Sequence, residues 1–232
     1  MIAPGSETAA ADDPLVMYYV VRTGVRFTLE QAMEAAGAAA VDCVERFGHN
    51  QRFNDAFGAW HDRPRKVALR AGEEDFARVK EDEPCAVHRD NLLCLPPRKR
   101  SDRSTLLESL NPFTDAPRPK EPPPPLPGDT TRMVYAIRPG VMRTAGKAMA
   151  QAGHAALMCV ERFGGGDYEE RFEAWRESGR RGELVAVSDE DWERLKRDPE
   201  AVVVSDAGHT QVAPGTETVI ALVPTTRESR PA

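Results

Sequence analysis

An α/β fold, made of two related layered domains that are each a small mixed β-sheet flanked by helices, follows from three features of the sequence. Strand-like apolar runs alternate with helical patterns, the order that lays helices on a sheet. The chain also repeats itself. Met17–Gly48 and Met133–Gly164, 32 residues each at a constant offset of 116, agree at 18 positions, more than shared amphipathicity produces. Finally, 232 residues suit two units, and a unit of about a hundred residues can bury its own core.

Each copy reads as a strand (Tyr19–Arg22; Val134–Arg138), a long helix, a second strand, a short helix and a third strand. The second copy adds a fourth strand, Glu217–Pro224. Its long helix opens on Thr144, a capping residue, and stops at Gly164-Gly165-Gly166. Ala148, Ala152, Ala155, Cys159 and Phe163 recur at steps of three and four and form the core stripe. Lys147, Gln151 and His154 stack along a different face. Between the copies, Arg98-Lys99-Arg100 and the proline-rich stretch 112–128 read as an extended linker, with a proline-rich ligand as the alternative. Inside it, Thr105–Leu110 suits one apolar helical turn docked on a neighbour. The domains expected are 14–97, a linker over 98–128, and 129–232.

The formal charge is 31 − 37 = −6, which argues against a broad electrostatic grip on nucleic acid and leaves room only for a local patch. Arg132, Arg138, Arg143 and Lys147, with Arg180-Arg181, are the candidates for it. No apolar run of about eighteen residues occurs and Met1–Pro14 lacks the regions of a secretory signal, so a cytoplasmic protein without a membrane span is expected. The cysteines at 43, 85, 94 and 159 lack zinc-site spacing and read as buried thiols. No metal or cofactor is expected.

Ser205–Thr216, SDAGHTQVAPGT, follows the apolar run Ala201–Val204 and places an acid, a glycine and a hydroxyl just after a buried strand. Sheets of this class commonly carry their chemistry there. Ala207-Gly208 permits a tight turn flanked by Asp206 and Thr210, and Pro214-Gly215 makes a second turn into the last strand. Spacing alone leaves Asp206 equally suited to capping a turn.

DAGHTQVAPGT followed by an apolar strand resembles the C-terminal signature of the type 2 peptidyl-tRNA hydrolases, and GKAMAQAGHAAL resembles their helix. The resemblance covers Met133–Pro224 well and the first copy in outline. It implies hydrolysis of the ester joining peptide to tRNA, with peptidyl-tRNA as partner. It also implies Lys147, Asp206 and Thr210 as catalytic residues, with Gln151, His154, Gly208 and His209 at matching positions as substrate-binding candidates, which Arg143 joins as a local cation at the helix start. The family usually carries arginine where His209 stands, and often a basic residue at the place of Ala145. No Ser-His-Asp order or GxSxG elbow occurs, which favours direct attack by water.

At the offset positions the first copy has Gln31 for Lys147, Ala35 for Gln151, Ala38 for His154 and Cys94 for Thr210, while Asp90 answers Asp206. This reads as a degenerate copy. Because the family tends to be dimeric, the two halves are expected to be able to pair within one chain, and further oligomerisation stays open. Two rival readings stand beside the hydrolase: a noncatalytic tRNA- or protein-binding pseudo-dimer, and hydrolysis of another acyl ester or amide.

Overall fold

The computed structural model describes residues 13–117, 127–206 and 213–226. The first half runs β1 (Leu15–Arg22), α1 (Leu29–Phe47), α2 (Asn54–Asp62), β2 (Lys66–Ala71), α3 (Glu73–Asp82), β3 (Ala86–His88), β4 (Leu92–Lys99), α4 (Thr105–Ser109) and β5 (Asn111–Pro112). The second runs β6 (Arg132–Ile137), α5 (Ala145–Phe163), α6 (Glu169–Glu177), β7 (Gly182–Ala186), α7 (Asp189–Leu195), β8 (Ala201–Ser205) and β9 (Glu217–Thr225). The sheet orders are β3-β4-β1-β2-β5 and β7-β6-β9-β8. In both, the first strand pairs in parallel with the second and antiparallel with the last long one, giving the mixed α/β sheets that the sequence predicts.

Three features differ from the sequence reading. The first half also has a long fourth strand, β4, although it contains Pro96 and Pro97. The β1–β4 register shifts between the pairs Tyr18–Leu95 and Val16–Arg98, so both prolines sit at a bulge, and β3 pairs only as far as Cys94. Missing donors are tolerated at such a place. Residues 98–117, expected as linker, extend this half: α4 buries Leu107, Leu110 and Phe113 are buried, and β5 pairs with β2. The apolar turn expected over Thr105–Leu110 is α4. Additional helices, α2 and α6, carry Trp60 and Trp175, whose indole N–H groups donate to the carbonyls of Arg65 and Arg181.

The long helices lie between the two sheets. The inward residues Met17, Tyr19 and Val21 of β1 meet the alanines of α1, together with Ala145 and Met149 of α5. The inward residues Met133, Tyr135 and Ile137 of β6 meet α5, together with Met33 and Val41 of α1. On the outer faces, Phe76 and Val79 of α3 cover β1 and β4, and Trp192 and Leu195 of α7 cover β6 and β9. All four cysteines are buried, as expected.

Small residues permit this closeness. The Tyr19 hydroxyl donates to the Ala36 carbonyl at 3.1 Å, and a Cβ on Gly153 would collide with that hydroxyl. In the mirrored place, a Cβ on Gly37 would collide with the Tyr135 hydroxyl. The outer edge of β7 is closed by α1 carboxylates: Glu34 accepts from Gly182 N at 3.2 Å and Glu30 from Leu184 N at 3.4 Å.

Gly153→Ala is therefore expected to cost about 1–3 kcal/mol in urea unfolding, the usual range for overpacking a core. Gly58→Ala, in a helix position with nothing within 4 Å of the added carbon, should be neutral or stabilising by up to about 1 kcal/mol. Equal stability of the two variants would show that α1 and α5 are not held at the spacing described.

Candidate active site

The start of α5 and the end of β8 converge on one carboxylate. Thr144 is in extended conformation and its hydroxyl accepts from Lys147 N at 3.2 Å, the N-cap that the sequence predicts. One turn of helix then separates Lys147 from Gln151. The Lys147 ammonium pairs with the Asp206 carboxylate, and Gln151 Nε2 donates to the same carboxylate at 2.8 Å. Gln151 Oε1 accepts from the Thr218 hydroxyl at 2.7 Å, and that hydroxyl lies 3.2 Å from the Val204 carbonyl. Asp206 is only 4% exposed. Removal of either charge would break a buried ion pair, a change that ordinarily costs about 3–5 kcal/mol.

The backbone of Asp206 is fixed independently of its side chain. Its N–H donates to the Thr216 carbonyl at 2.8 Å and its carbonyl accepts from Gly215 N at 2.7 Å. Thr216 N donates to the Ala213 carbonyl at 3.1 Å across Pro214-Gly215, with Gly215 at φ +80°. Proline followed by a residue at positive φ is the signature of a type II turn, which glycine fills without strain.

Of the residues proposed from sequence, Lys147, Gln151 and Asp206 meet here. Gly208, His209 and Thr210 lie outside the described residues. His154 faces elsewhere: its Nδ1 is 3.1 Å from Lys66 Nζ, and its ring stacks on Trp60 at 5.9 Å between centroids. Arg143 is exposed on the turn before Thr144. The rest of the expected basic patch is committed to internal contacts. Arg132, 1% exposed, donates to the Thr130 and Pro127 carbonyls and pairs with Glu183. Arg180 pairs with Asp42 and Glu45 of α1, and Arg181 with Glu34. Arg138 pairs with Asp189 and Glu193. In the first half, Asp90 pairs with Lys80 on the surface and Gln31 completes a capping box with Thr28.

Thr218 and Lys66 went unnoticed in the sequence. Thr218 is a hydroxyl that follows Glu217 at the start of β9, ahead of the apolar run Val219–Pro224, and that break in the strand is its signal. Lys66 occupies the place of Gly182, since Met17 pairs with Lys66 where Met133 pairs with Gly182. It is 9% exposed and lies 4.2 Å from the Trp60 ring centre, and among the described residues no carboxylate pairs with it. Burial brings its amine down to about 7. Burial, aided by the charges of Lys66 and Lys147, also brings His154 well below the usual imidazole range. Among the described residues no three His, Cys, Asp or Glu side chains cluster to hold a metal ion, and no helix is long and apolar enough to cross a membrane.

Fold and site define an α/β protein with a buried lysine–carboxylate centre at the mouth of a mixed sheet. Residues 131–229 match the family described as peptidyl-tRNA hydrolase PTH2. The chain is 38% identical over 101 residues to a peptidyl-tRNA hydrolase of Pyrobaculum aerophilum, covering 40% of this chain and 83% of that protein. It is 35% identical over 103 residues to one of Thermoplasma acidophilum, covering 42% and 87%. It is 33% identical over 100 residues to a probable peptidyl-tRNA hydrolase 2 of Schizosaccharomyces pombe, covering 40% and 48%. The chain belongs to the PTH2 peptidyl-tRNA hydrolase family.

Lys66 generates a pH prediction. The unfolded chain keeps a proton on this amine up to about pH 10.4, whereas the folded chain sheds it near 7. Stability therefore rises with pH above about 7. His154 contributes the same sign as pH climbs toward about 6.5, while the buried thiols, pushed up by burial, act oppositely above about 8.5. Between about pH 7 and 8.5, urea unfolding should show stability rising by up to about 1.4 kcal/mol per unit. Lys66→Met should flatten that rise and be the more stable chain at neutral pH. Equal slopes in the two chains would contradict the burial of this amine.

Proposed function

We propose that the second half, residues 129–232, hydrolyses the ester bond of peptidyl-tRNA, releasing peptide and tRNA by direct attack of water. The observation that carries this reading is the buried Lys147–Asp206 pair, braced by Gln151, within the span that matches the family. In this scheme water adds to the ester carbonyl carbon, the bond from that carbon to the ribose oxygen breaks, and the water's proton leaves with the ribose as its hydroxyl. Lys147 stabilises the negative charge that develops on the carbonyl oxygen. Asp206 orients the water and holds Lys147. A carboxylate beside an ammonium is a weak base, so positioning is its main work. Thr210 donates a hydrogen bond to the same centre, and Gly208, His209 and Arg143 contact substrate. Gln151 acts on Asp206, and His154 through the contact with the first half.

The first half, residues 14–97 with its extension to 117, is in this reading a degenerate copy paired with the second within one chain. The internal sequence identity, the matching sheet order and the mirrored glycine–tyrosine contacts support it. So do the alanines at the places of Gln151 and His154. The protein would act in the cytoplasm, alongside translation.

The full chain should release tRNA from N-blocked aminoacyl-tRNA. Lys147→Ala and Asp206→Asn should each lower kcat by about a hundredfold or more, the usual loss when an electrostatic partner of the transition state is removed. Turnover within about threefold of the unaltered chain in a folded Lys147→Ala variant would end this assignment.

A further inference from the structure

We propose that Arg70, contributed by the first half, is a substrate-positioning residue that holds a backbone phosphate near the 3′ end of tRNA beside the Lys147–Asp206 centre. The inference rests on the hydrolase reading and adds to it a binding role for the half without the lysine. At a net charge of −6 the chain must hold RNA through few, local cations, and most arginines expected to do so are tied up internally. Arg180, 19% exposed at its side chain, is held by two carboxylates, and Arg132 is buried. Arg70 differs. Among the described residues it has one carboxylate partner, Asp115, and the two side chains are 37% and 44% exposed. A surface pair of this kind is worth about 0–1 kcal/mol, so exchanging the carboxylate for a phosphate costs little.

Its position is fixed by contacts that the ion pair does not supply. Lys66, Ala68 and Arg70 alternate along β2, which runs antiparallel to α5: Lys66 meets His154, Ala68 meets Gly146, and Arg70 reaches the helix start. Phe113 N donates to the Ala68 carbonyl at 2.8 Å, and the Asp115 carbonyl accepts from Ala145 N at 2.9 Å. A Cβ on Gly146 would collide with the Phe113 carbonyl, so only glycine admits this strap. The Arg70 guanidinium lies over the Phe113 ring, 5.5 Å from its centre, and that ring is held edge-on by Phe27.

Arg70 and Asp206 thus flank the first turn of α5 from opposite sheets, at the same end of the molecule. A short stretch of single-stranded 3′ end, its terminal ester at Lys147, reaches Arg70 across one helix, whose diameter with side chains is about 10 Å. Arg143, exposed two residues before Ala145, adds a second cation next to the helix start.

Binding of deacylated tRNA to the full chain across a salt series, with turnover of N-acetylaminoacyl-tRNA, tests this. Arg70→Gln should weaken tRNA about tenfold, the loss of one charge-assisted hydrogen bond, lower the salt slope by about one, and place its kinetic loss on KM. Asp115→Asn keeps the backbone carbonyl on Ala145, frees the guanidinium, and should tighten binding. An affinity within about twofold and an unaltered slope in Arg70→Gln would overturn the assignment. Unchanged or weaker binding in Asp115→Asn would do so as well, and that variant decides the matter if Arg70→Gln does not fold. An unaltered chain that neither turns over the substrate nor binds tRNA would instead sink the hydrolase reading.

Discussion

Two tyrosine hydroxyls, each buried against a glycine of the neighbouring long helix, set the separation of α1 and α5, and the rest of the molecule is arranged around that separation. Because Gly153 admits Tyr19 and Gly37 admits Tyr135, both helices can lie between the sheets with alanine faces in contact. A helix packed on two sides has no free rotation. Its sequence then decides which residue meets which sheet: Ala145 and Met149 turn to the first, Ala148 and Ala152 to the second. Lys147 and Gln151 are thereby delivered to the end of β8, where the backbone of Asp206 is already pinned by the Pro214-Gly215 turn.

The same helix presents two buried lysine contacts with opposite solutions. Lys147 is matched by a carboxylate, which is itself held by Gln151 and, behind it, Thr218. Lys66 comes from the other sheet and, among the described residues, is matched only by an imidazole and an indole face. The first arrangement sets an ammonium against a carboxylate, with side chains 9% and 3% exposed, where charges interact more strongly than in water. The second makes the charge itself expensive, hence the amine near 7.

Much of this was legible in the sequence, and the parts that were not share a cause. The Thr144 cap, the core stripe from Ala148 to Phe163 and the turn after Asp206 depend on residues close in the chain, so periodicity and turn chemistry reveal them. β4 was hidden because prolines at 96 and 97 argue against a strand until the bulge and the end of β3 are known. Residues 98–117 look unpackable by composition, yet a few apolar side chains, Leu107, Leu110 and Phe113, suffice to bind them. The arginines misled for a different reason. Arg180 and Arg181 find their carboxylates on α1, more than a hundred residues away, and no local pattern predicts that a basic pair is already neutralised. His154 belongs with them, since its partners Lys66 and Trp60 come from the first half.

If the halves descend from one sequence, the surface between α1 and α5 has since become asymmetric. At one end Lys66 and Trp60 meet His154, and at the other Glu34 meets Arg181 and Gly182 N. The corresponding residues are Gly182 for Lys66, Ala38 for His154 and Ala150 for Glu34. A second half placed where the first half sits would therefore offer glycine to His154 and alanine to Arg181. It would take away an amine and a carboxylate and leave polar groups buried without partners, which costs more than the contacts themselves are worth. Tethering raises the effective concentration of one half around the other without choosing between orientations or partners. The unequal residues make that choice, and they do so on the helix that carries Lys147, so the half without the lysine helps fix where the lysine lies.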